Sequence, residues 1–177
     1  MTTPAPTPRP AILTVGAISA AVALATDLAS KWWALDVLSD GQRLPIIGRW
    51  LSLRLVFNPG AAFSLGDNFT LVLTGLAAII SLVIIIAIWR ARSRLNSAIL
   101  GLLLGGALGN LYDRLTQPPG VGRGHVVDFI DYNGWFVGNV ADIWIVLAAA
   151  GLVLIASRGS TLNRGETPAS HEGNSRA

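Results

Sequence analysis

Four long apolar runs, separated by shorter polar stretches, dominate the hydrophobic pattern of this chain. They cover residues 11–35, 70–89, 96–114 and 138–157, and each approaches the roughly 20 apolar residues that cross the hydrocarbon core of a bilayer as a helix. Within the runs the apolar residues are continuous rather than alternating, which favours helices over the strands of a membrane barrel. The pattern therefore predicts an all-α membrane protein in which four transmembrane helices form a bundle.

The connection between the first two spans, residues 36–69, carries a different pattern. Leu51, Leu53 and Leu55 occupy every second position there, and this spacing is typical of a β-strand. A second short apolar segment, residues 44–48, precedes them. We therefore expect a small extracytoplasmic region of β-sheet and loops, lying on the membrane surface with its apolar face toward lipid or the bundle.

Composition agrees with a single membrane domain over residues 11–157. The 177 residues are 52% hydrophobic and 13% charged, which is too apolar for an ordinary soluble domain. The chain has no cysteine, which excludes disulfides and thiol nucleophiles, and it lacks the basic stripe with interleaved aromatic residues that binds nucleic acid. The flanking segments 1–10 and 158–177 are rich in proline or in small polar and charged residues, so we expect disordered tails.

Basic residues indicate the orientation of the chain in the membrane. Arg90, Arg92 and Arg94 crowd the short turn between the second and third spans, and such clusters face the cytoplasm. An even number of spans places both termini on the same side as that turn. We therefore expect cytoplasmic termini, with the connections that carry the aspartates on the outer side.

Eight aspartates and no glutamate lie between Asp27 and Asp142, and all fall near the ends of the apolar runs or in the connections. Carboxylates in these positions indicate chemistry at a membrane surface. Asp128 and Asp142 flank a short connection, so one small movement of the chain could bring their carboxyl groups together. Aspartic hydrolases use a pair of carboxyl groups for acid–base catalysis.

Some of these acidic residues also have a structural explanation. Lys31 lies four residues after Asp27, the spacing of an ion pair across one helical turn. Asn139 and Asp142 have the spacing of a capping box that opens the fourth helix. Because a helix N-terminus stabilises an anion, we expect Asp142 to ionise more readily than Asp128, so that a proton shared by the pair rests mainly on Asp128.

The third span carries a stripe of glycines, Gly101, Gly105 and Gly109. Small residues at this spacing let membrane helices approach closely, although the same stripe could serve self-association. It leads toward polar residues that should face protein or water rather than lipid: Asn110, Asp113 and Arg114.

A metal site is not predicted. His125 lies three residues before Asp128, but no second histidine, cysteine or glutamate is close to it in the sequence, and zinc sites require three or four such ligands.

Five segments with polar residues occur in order along the chain. They are Asp27-Leu28-Ala29-Ser30-Lys31, Asn58-Pro59-Gly60-Ala61-Ala62-Phe63-Ser64, Gly109-Asn110-Leu111-Tyr112-Asp113-Arg114, Val127-Asp128-Phe129-Ile130 and Asn139-Val140-Ala141-Asp142. In this order they closely resemble the sequence blocks of the lipoprotein signal peptidase family, also called signal peptidase II. Each block is weak alone, but five in this order across residues 27–142 of a four-span chain form a specific match.

The resemblance implies a membrane-embedded aspartic endopeptidase that removes the signal peptides of prolipoproteins, cutting before a cysteine that already carries diacylglyceryl. Asp128 and Asp142 would form the catalytic dyad. One carboxylate would act as general base on a water, while the other, protonated, would polarise the scissile carbonyl and later protonate the leaving amine. The resemblance implies no metal or organic cofactor, and it implies inhibition by the cyclic peptide globomycin.

The resemblance also implies roles for residues around the dyad and for partners. Diacylglyceryl prolipoproteins and membrane lipid are the implied partners, in the bacterial inner or cytoplasmic membrane with the site near the outer leaflet. Independently of the resemblance, the small size of the chain and its single site favour a monomer. Many relatives have phenylalanine where this chain has Gly138, so a side-chain contact of those relatives is missing. The residues that would hold substrate, orient the dyad or support the site are Asn58, Gly60, Asn110, Arg114, Asn139, Ala141, Asp27 and Lys31.

Two other classes of protein share parts of this pattern. A proton- or ion-coupled transporter also carries acidic residues in apolar spans, but they usually lie near the bilayer midplane in broken helices, whereas the central turns of these four runs lack charge. A non-catalytic membrane scaffold would use its aspartates only for caps and ion pairs. Asp128→Asn and Asp142→Asn would separate the scaffold from the enzyme, because a scaffold would keep its role whereas an aspartic peptidase would lose turnover while remaining folded.

Overall fold

The computed structural model describes residues 9–60 and 67–164, with side chains throughout except at residues 67–68 and 158–164. The four helices in these ranges are long and apolar enough to cross a membrane. They confirm the predicted fold class, a four-helix membrane bundle with a small sheet. The elements in chain order are α1 (Arg9–Val37), β1 (Leu44–Ile47), β2 (Leu51–Asn58), α2 (Asp67–Arg90), α3 (Arg94–Thr116), β3 (Val126–Tyr132), β4 (Phe136–Gly138) and α4 (Val140–Arg164).

The ends of the helices differ from the predicted spans. α1 begins at Arg9 and α4 continues to Arg164, so the segments predicted as tails are helical at residues 9–10 and 158–164. Hydropathy marks the part of a helix that lies in lipid, but a helix satisfies its own backbone hydrogen bonds and can continue where its side chains become polar. The rest of the predicted tails, residues 1–8 and 165–177, lies outside the described residues.

The four strands form one antiparallel sheet in the order β1-β2-β3-β4. β1 and β2 lie in the segment expected to form strands, but the hairpin of β3 and β4 replaces what the sequence pattern suggested was a simple connection. Its signal was an Asn-Gly pair, which favours a tight hairpin turn. Asn133 and Gly134 have φ angles of 57° and 79°, and the Trp135 amide donates a hydrogen bond to the Tyr132 carbonyl at 3.1 Å.

α3 is the central helix of the bundle and packs against the other three. Its glycines make this possible: a Cβ at Gly105 would lie 2.6 Å from the Cβ of Ala23 on α1, and one at Gly106 would lie 2.7 Å from the Ala141 carbonyl on α4. Both distances are shorter than carbon atoms tolerate. The glycine stripe is therefore used for packing within the chain, as its spacing predicted.

The sheet packs on one end of the bundle. Phe129 of β3 is buried with Ala34 and Leu38, at the end of α1 and just beyond it, and its ring meets the Trp33 ring edge-on with centroids 6.4 Å apart. Apolar residues of β2 and the first residue of α4 complete this cluster. The cluster holds β3 against the ends of two membrane helices.

The arginine-rich turn lies at the opposite end of the bundle. Only residues 91–93 separate α2 from α3, and Arg9 at the start of α1 donates a hydrogen bond from Nη2 to the Trp89 carbonyl at 3.2 Å. The beginning of α1 and this turn are therefore on the same side, while the sheet follows the other end of α1.

Filling the glycine stripe should destabilise the bundle. We expect Gly105→Ala to lower the free energy of unfolding by about 1–3 kcal/mol, because the added methyl group overlaps α1. Gly75→Ala is the matched control, since no atom lies within 4 Å of the Cβ it would add. Thermal unfolding in detergent measures both, and equal midpoints for the two variants would contradict the packing role.

Candidate active site

Asp128 is buried in the middle of β3 and is held by two side-chain amides. Asn58, at the end of β2, donates from Nδ2 to Asp128 Oδ2 at 2.8 Å, and Asn139 donates from Nδ2 to Asp128 Oδ1 at 2.7 Å. Antiparallel pairing of β2 with β3 brings Asn58 to this position, since Val56 lies opposite Asp128 in the ladder. Each carboxylate oxygen of Asp128 therefore has an amide donor from a different element.

Asp142 occupies the first turn of α4 and forms the predicted capping box. The Asn139 amide donates to Asp142 Oδ2, and the Asp142 amide donates to Asn139 Oδ1, both at 3.1 Å. Asn110 of α3 adds a third bond, from Nδ2 to Asp142 Oδ1 at 3.1 Å. The carboxylate is thus fixed by its own helix terminus and by the neighbouring helix.

Asn139 joins the two aspartates. Its side-chain amide donates to Asp128, its backbone amide donates to Asp142, and its Nδ2 also approaches Asn110 Oδ1 at 3.1 Å. A single buried asparagine therefore sets the position of both carboxyl groups relative to each other. This is the pair that the sequence predicted from two residues flanking a connection.

A buried lysine lies behind this pair. The ammonium group of Lys31 is 2.7 Å from Asp27 Oδ2, 2.8 Å from Asp113 Oδ2 and 3.0 Å from Asn110 Oδ1. The first of these contacts confirms the predicted pair across one turn of α1. The other two extend it to α3, and because Lys31 donates to Asn110 Oδ1, the Nδ2 of that amide faces Asp142.

The two aspartates of this ion cluster also bind the backbone of the elements that carry the dyad. Asp27 Oδ1 accepts from the Ala141 amide at 2.8 Å, one residue before Asp142. Asp113 Oδ2 accepts from the Val127 amide at 3.1 Å, one residue before Asp128. The cluster therefore connects α1 and α3 with the start of α4 and with β3.

Asp113 is the residue of this network that the sequence analysis did not assign to the site. It is 2% exposed, and its signal was weak: it stands three residues after Asn110, at the head of the glycine stripe. Its partner Lys31 is distant in the sequence, and its partner Val127 lies beyond the end of α3. The fold is therefore needed to show that Asp113 binds both.

Three further residues lie near Asp128 and Asp142 or near their partners: Gly60, Arg114 and Gly138. The Gly60 amide donates to Asn58 Oδ1 at 2.8 Å from a backbone with φ 106°, which favours glycine. Arg114 interacts electrostatically with both aspartates of the pair, and its Nη1 donates to the Asn110 carbonyl at 3.1 Å. A Cβ at Gly138 would lie 2.6 Å from the Phe136 ring, so that ring occupies the space beside this position.

The environment of Asp128 raises the pKa of its carboxyl group from 3.8 to about 6. Burial is the largest cause, and the negative charge of Asp142 adds to it, while hydrogen bonds from Asn58 and Asn139 and the charge of Lys31 act in the opposite direction. The direction agrees with the expectation that a shared proton rests on Asp128.

Two apolar grooves reach the polar site from different sides. The first, of about 310 Å³, runs along α4 beside Asp142 and Asn139 toward Leu147. The second, of about 270 Å³, lies between α2, α3 and α4 and ends at Asn110 and Arg114. Long apolar groups could therefore approach the carboxyl groups from within the membrane region. Among the described residues, no group of three or more potential metal ligands occurs.

The fold consists of a helical membrane bundle with a buried polar site at the end that carries the sheet. Two solved structures described as a bacterial membrane enzyme, determined by the in meso method, share the fold. One superimposes with a TM-score of 0.69 at 23% identity over 80% of this chain and 91% of its own. The other does so with a TM-score of 0.68 at 24% identity over 88% and 94%.

Sequence comparison identifies the family. The family model described as "Signal peptidase (SPase) II" matches residues 19–158. The lipoprotein signal peptidase of Rhodococcus jostii is 47% identical over 80% of this chain and 72% of its own length, and that of Mycobacterium avium is 43% identical over 79% and 77%. The chain belongs to the signal peptidase II family, and it is a multi-pass bacterial membrane peptidase.

Removing the charge of Asp113 should destabilise the protein. We expect Asp113→Asn to lower the free energy of unfolding by about 1.5–3 kcal/mol, because it removes a charge-assisted contact with Lys31 and weakens the bond to the Val127 amide, while Asp27 still pairs the lysine. Asp36→Asn, at an exposed position near the end of α1, is the control and should unfold like the wild type. Thermal unfolding in detergent makes the comparison, and equal midpoints for the two variants would contradict the structural role of Asp113.

The raised pKa of Asp128 predicts a pH dependence of stability. Its folded pKa of about 6 exceeds the reference value of 3.8, so the folded state binds the proton more tightly than the unfolded state. The contribution of Asp128 to the free energy of unfolding is fully present below about pH 4. It decreases by up to about 3 kcal/mol as the pH rises through about 6.

Asp128→Asn removes this titration, so its unfolding midpoint should rise relative to that of the wild type between pH 4 and pH 7. Thermal unfolding of both proteins across this range measures the difference. A difference that does not change with pH would show that the pKa of Asp128 is not raised.

Proposed function

We propose that this chain removes signal peptides from diacylglyceryl-modified prolipoproteins, cutting on the N-terminal side of the lipidated cysteine with Asp128 and Asp142 as its catalytic dyad. The observation that carries the proposal is the bridge from Asp128 through Asn139 to Asp142. It places two carboxyl groups on one asparagine in a member of the signal peptidase II family. Relatives of this chain are named lipoprotein signal peptidases, which supports the substrate class.

The two carboxyl groups have different environments and therefore different roles. Asp128 is buried in a strand and its pKa is raised to about 6, so it is the member that holds the proton. Asp142 stands at a helix N-terminus, which stabilises its anion, and it lines the groove beside α4. Asp142 is accordingly the general base, and Asp128 is the acid.

In this mechanism Asp142 removes a proton from a water whose oxygen attacks the scissile carbonyl carbon. The protonated Asp128 polarises the carbonyl oxygen and then donates its proton to the leaving nitrogen as the carbon–nitrogen bond breaks. The proton held by Asp142 passes to Asp128 and restores the starting state. The products are a carboxylic acid at the new end of the signal peptide and the amine of the lipidated cysteine, and together they contain both hydrogens of the water consumed.

The surrounding residues position the dyad and the substrate. Asn58 and Asn139 hold Asp128, while Asn110 holds Asp142. Arg114, with its positive charge near both carboxyl groups, binds the substrate backbone or stabilises the anion of the pair. The two apolar grooves take the signal helix and the diacylglyceryl chains, since both ligands are anchored in the bilayer and must reach the dyad from lipid.

The proposal includes orientation and oligomeric state. The arginine-rich turn and the start of α1 lie at the end of the bundle opposite the sheet, which supports cytoplasmic termini and a site near the outer leaflet. The contact of α3 glycines with α1 and α4 supports a monomer, because the stripe that could drive self-association is occupied within the chain.

The decisive test is cleavage of a diacylglyceryl-modified prolipoprotein by the purified chain in detergent. We expect Asp128→Asn and Asp142→Asn each to lower turnover by about 10²–10⁴-fold, because each removes one acid–base partner. Asp36→Asn serves as the control, and thermal unfolding establishes that the variants are folded. A chelator should leave the wild-type rate unchanged.

Either of two results would overturn the assignment. Turnover that persists in a folded Asp128→Asn or Asp142→Asn variant would remove that residue from the dyad. Equal cleavage of the precursor with and without its diacylglyceryl group would contradict the proposed substrate class while leaving the dyad intact.

A further inference from the structure

A pocket separate from the two apolar grooves lies on the sheet and contains none of the residues assigned to the dyad. It has a volume of about 380 Å³ and is lined by Arg43, Arg49 and Ser52 together with the turn residues Asn133 and Gly134. Its lining includes two arginines and no acidic residue. The mechanism proposed above does not use this pocket.

Exposed apolar residues stand next to the lining residues in the chain, and we call them the apolar rim. Ile46, Ile47 and Trp50, in and just after β1, are 57–60% exposed, and Trp135, which follows Gly134, is 87% exposed. Several large apolar side chains exposed near one pocket are unfavourable in water and mark a region that meets another apolar phase.

The position of β1 identifies that phase as the bilayer. β1 begins only six residues, 38–43, after the end of α1, and six residues span at most about 20 Å. The last turns of α1 expose Trp32 and Trp33, and tryptophans at the end of a membrane span lie at the headgroup level. The hairpin of β1 and β2 is therefore within reach of the headgroups.

Positive charge exceeds negative charge among the ion-paired residues beside the pocket. Asp131 is buried and accepts from Arg54 Nε at 2.8 Å and Arg43 Nη2 at 3.2 Å, while the Gly134 amide donates to its other oxygen at 2.7 Å. Two arginines thus share one carboxylate. Burial acts to raise the pKa of Asp131, but the Gly134 bond and the two arginines lower it overall, so this carboxylate remains a single negative charge.

Arg49 adds a third positive charge. Its guanidinium lies 5.2 Å from the centre of the Trp50 ring, a contact that orients the group and leaves its donors available for an anion. Arg43 also remains 54% exposed despite its bond to Asp131. Arginine donors match phosphate oxygens in geometry and charge.

We propose that this pocket binds the phosphate of an anionic phospholipid, with Arg43 and Arg49 as its donors and the apolar rim against the acyl region. A zwitterionic phospholipid fits less well, because its ammonium group would approach the same arginines. The bound lipid would fix the height of the sheet relative to the membrane surface. This proposal does not depend on the dyad or on the substrate of the enzyme.

The test uses the full chain in nanodiscs that contain brominated phosphatidylglycerol or brominated phosphatidylcholine at equal mole fraction. Bromine quenches nearby tryptophan, and the difference between wild type and Trp50→Phe isolates the signal of Trp50. We expect stronger quenching by phosphatidylglycerol. Arg49→Gln should reduce this preference about fivefold, the equivalent of about 1 kcal/mol for one arginine at a membrane surface.

Two matched variants sharpen the result. Arg49→Lys keeps the charge and should retain most of the preference, whereas Arg92→Gln removes a charge at the opposite end of the bundle and should leave the signal of Trp50 unchanged. Equal quenching of Trp50 by the two lipids, no quenching by either, or an unchanged preference in Arg49→Gln would overturn the proposal. None of these outcomes bears on the peptidase assignment.

Discussion

The rest of the site depends on the interactions of the buried ammonium group of Lys31. A lysine that is 1% exposed within a membrane bundle loses its hydration and is stable only if its charge is paired and its hydrogen bonds are made. Asp27 and Asp113 provide two carboxylates, and Asn110 provides an oxygen. These contacts explain why three polar residues from two helices meet at one point in an apolar interior.

The carboxylates of Asp27 and Asp113 also fix the backbone beside Asp142 and Asp128. Asp27 binds the backbone before Asp142, and Asp113 binds the backbone before Asp128. Hydrogen bonds that backbone amides donate to buried carboxylates are stronger than neutral ones, so the start of α4 and the strand β3 are held at a fixed distance from the ion cluster. The glycines of α3 are required for this arrangement, because a larger residue would separate α3 from α1 and α4.

The two halves of the fold contribute different properties to the carboxyl groups. The helical half supplies a helix N-terminus for Asp142, which favours its anion, whereas the sheet buries Asp128, which favours its protonated form. Asn139 stands where the two halves join and binds both residues. The arginines of the pocket on the sheet and the neighbouring Trp50 lie in the loops on either side of β1: Arg43 precedes the strand, and Arg49 and Trp50 follow it.

The features that depend on neighbours along the chain could be predicted from local patterns of residues. Hydropathy predicted four spans, the capping box of Asn139 and Asp142 followed from their spacing, and so did the ion pair of Asp27 with Lys31. The alternating leucines predicted β2, and the resemblance to a family selected the residues around the dyad. The Asn-Gly pair at residues 133 and 134 also favours the hairpin of β3 and β4, although residues 126–132 show no alternating pattern that would predict β3.

The contacts between these elements could not be predicted in this way, because they depend on how the chain folds. Asn58 reaches Asp128 across 70 positions, and Lys31 reaches Asn110 across 79, distances over which no sequence period carries information. The role of Asp113, the bridge formed by Asn139 and the charge of the pocket on the sheet all arise from such contacts. The physical reason is that a local pattern reflects the preferences of one helix or strand, whereas a buried polar group must find its partner wherever packing places it.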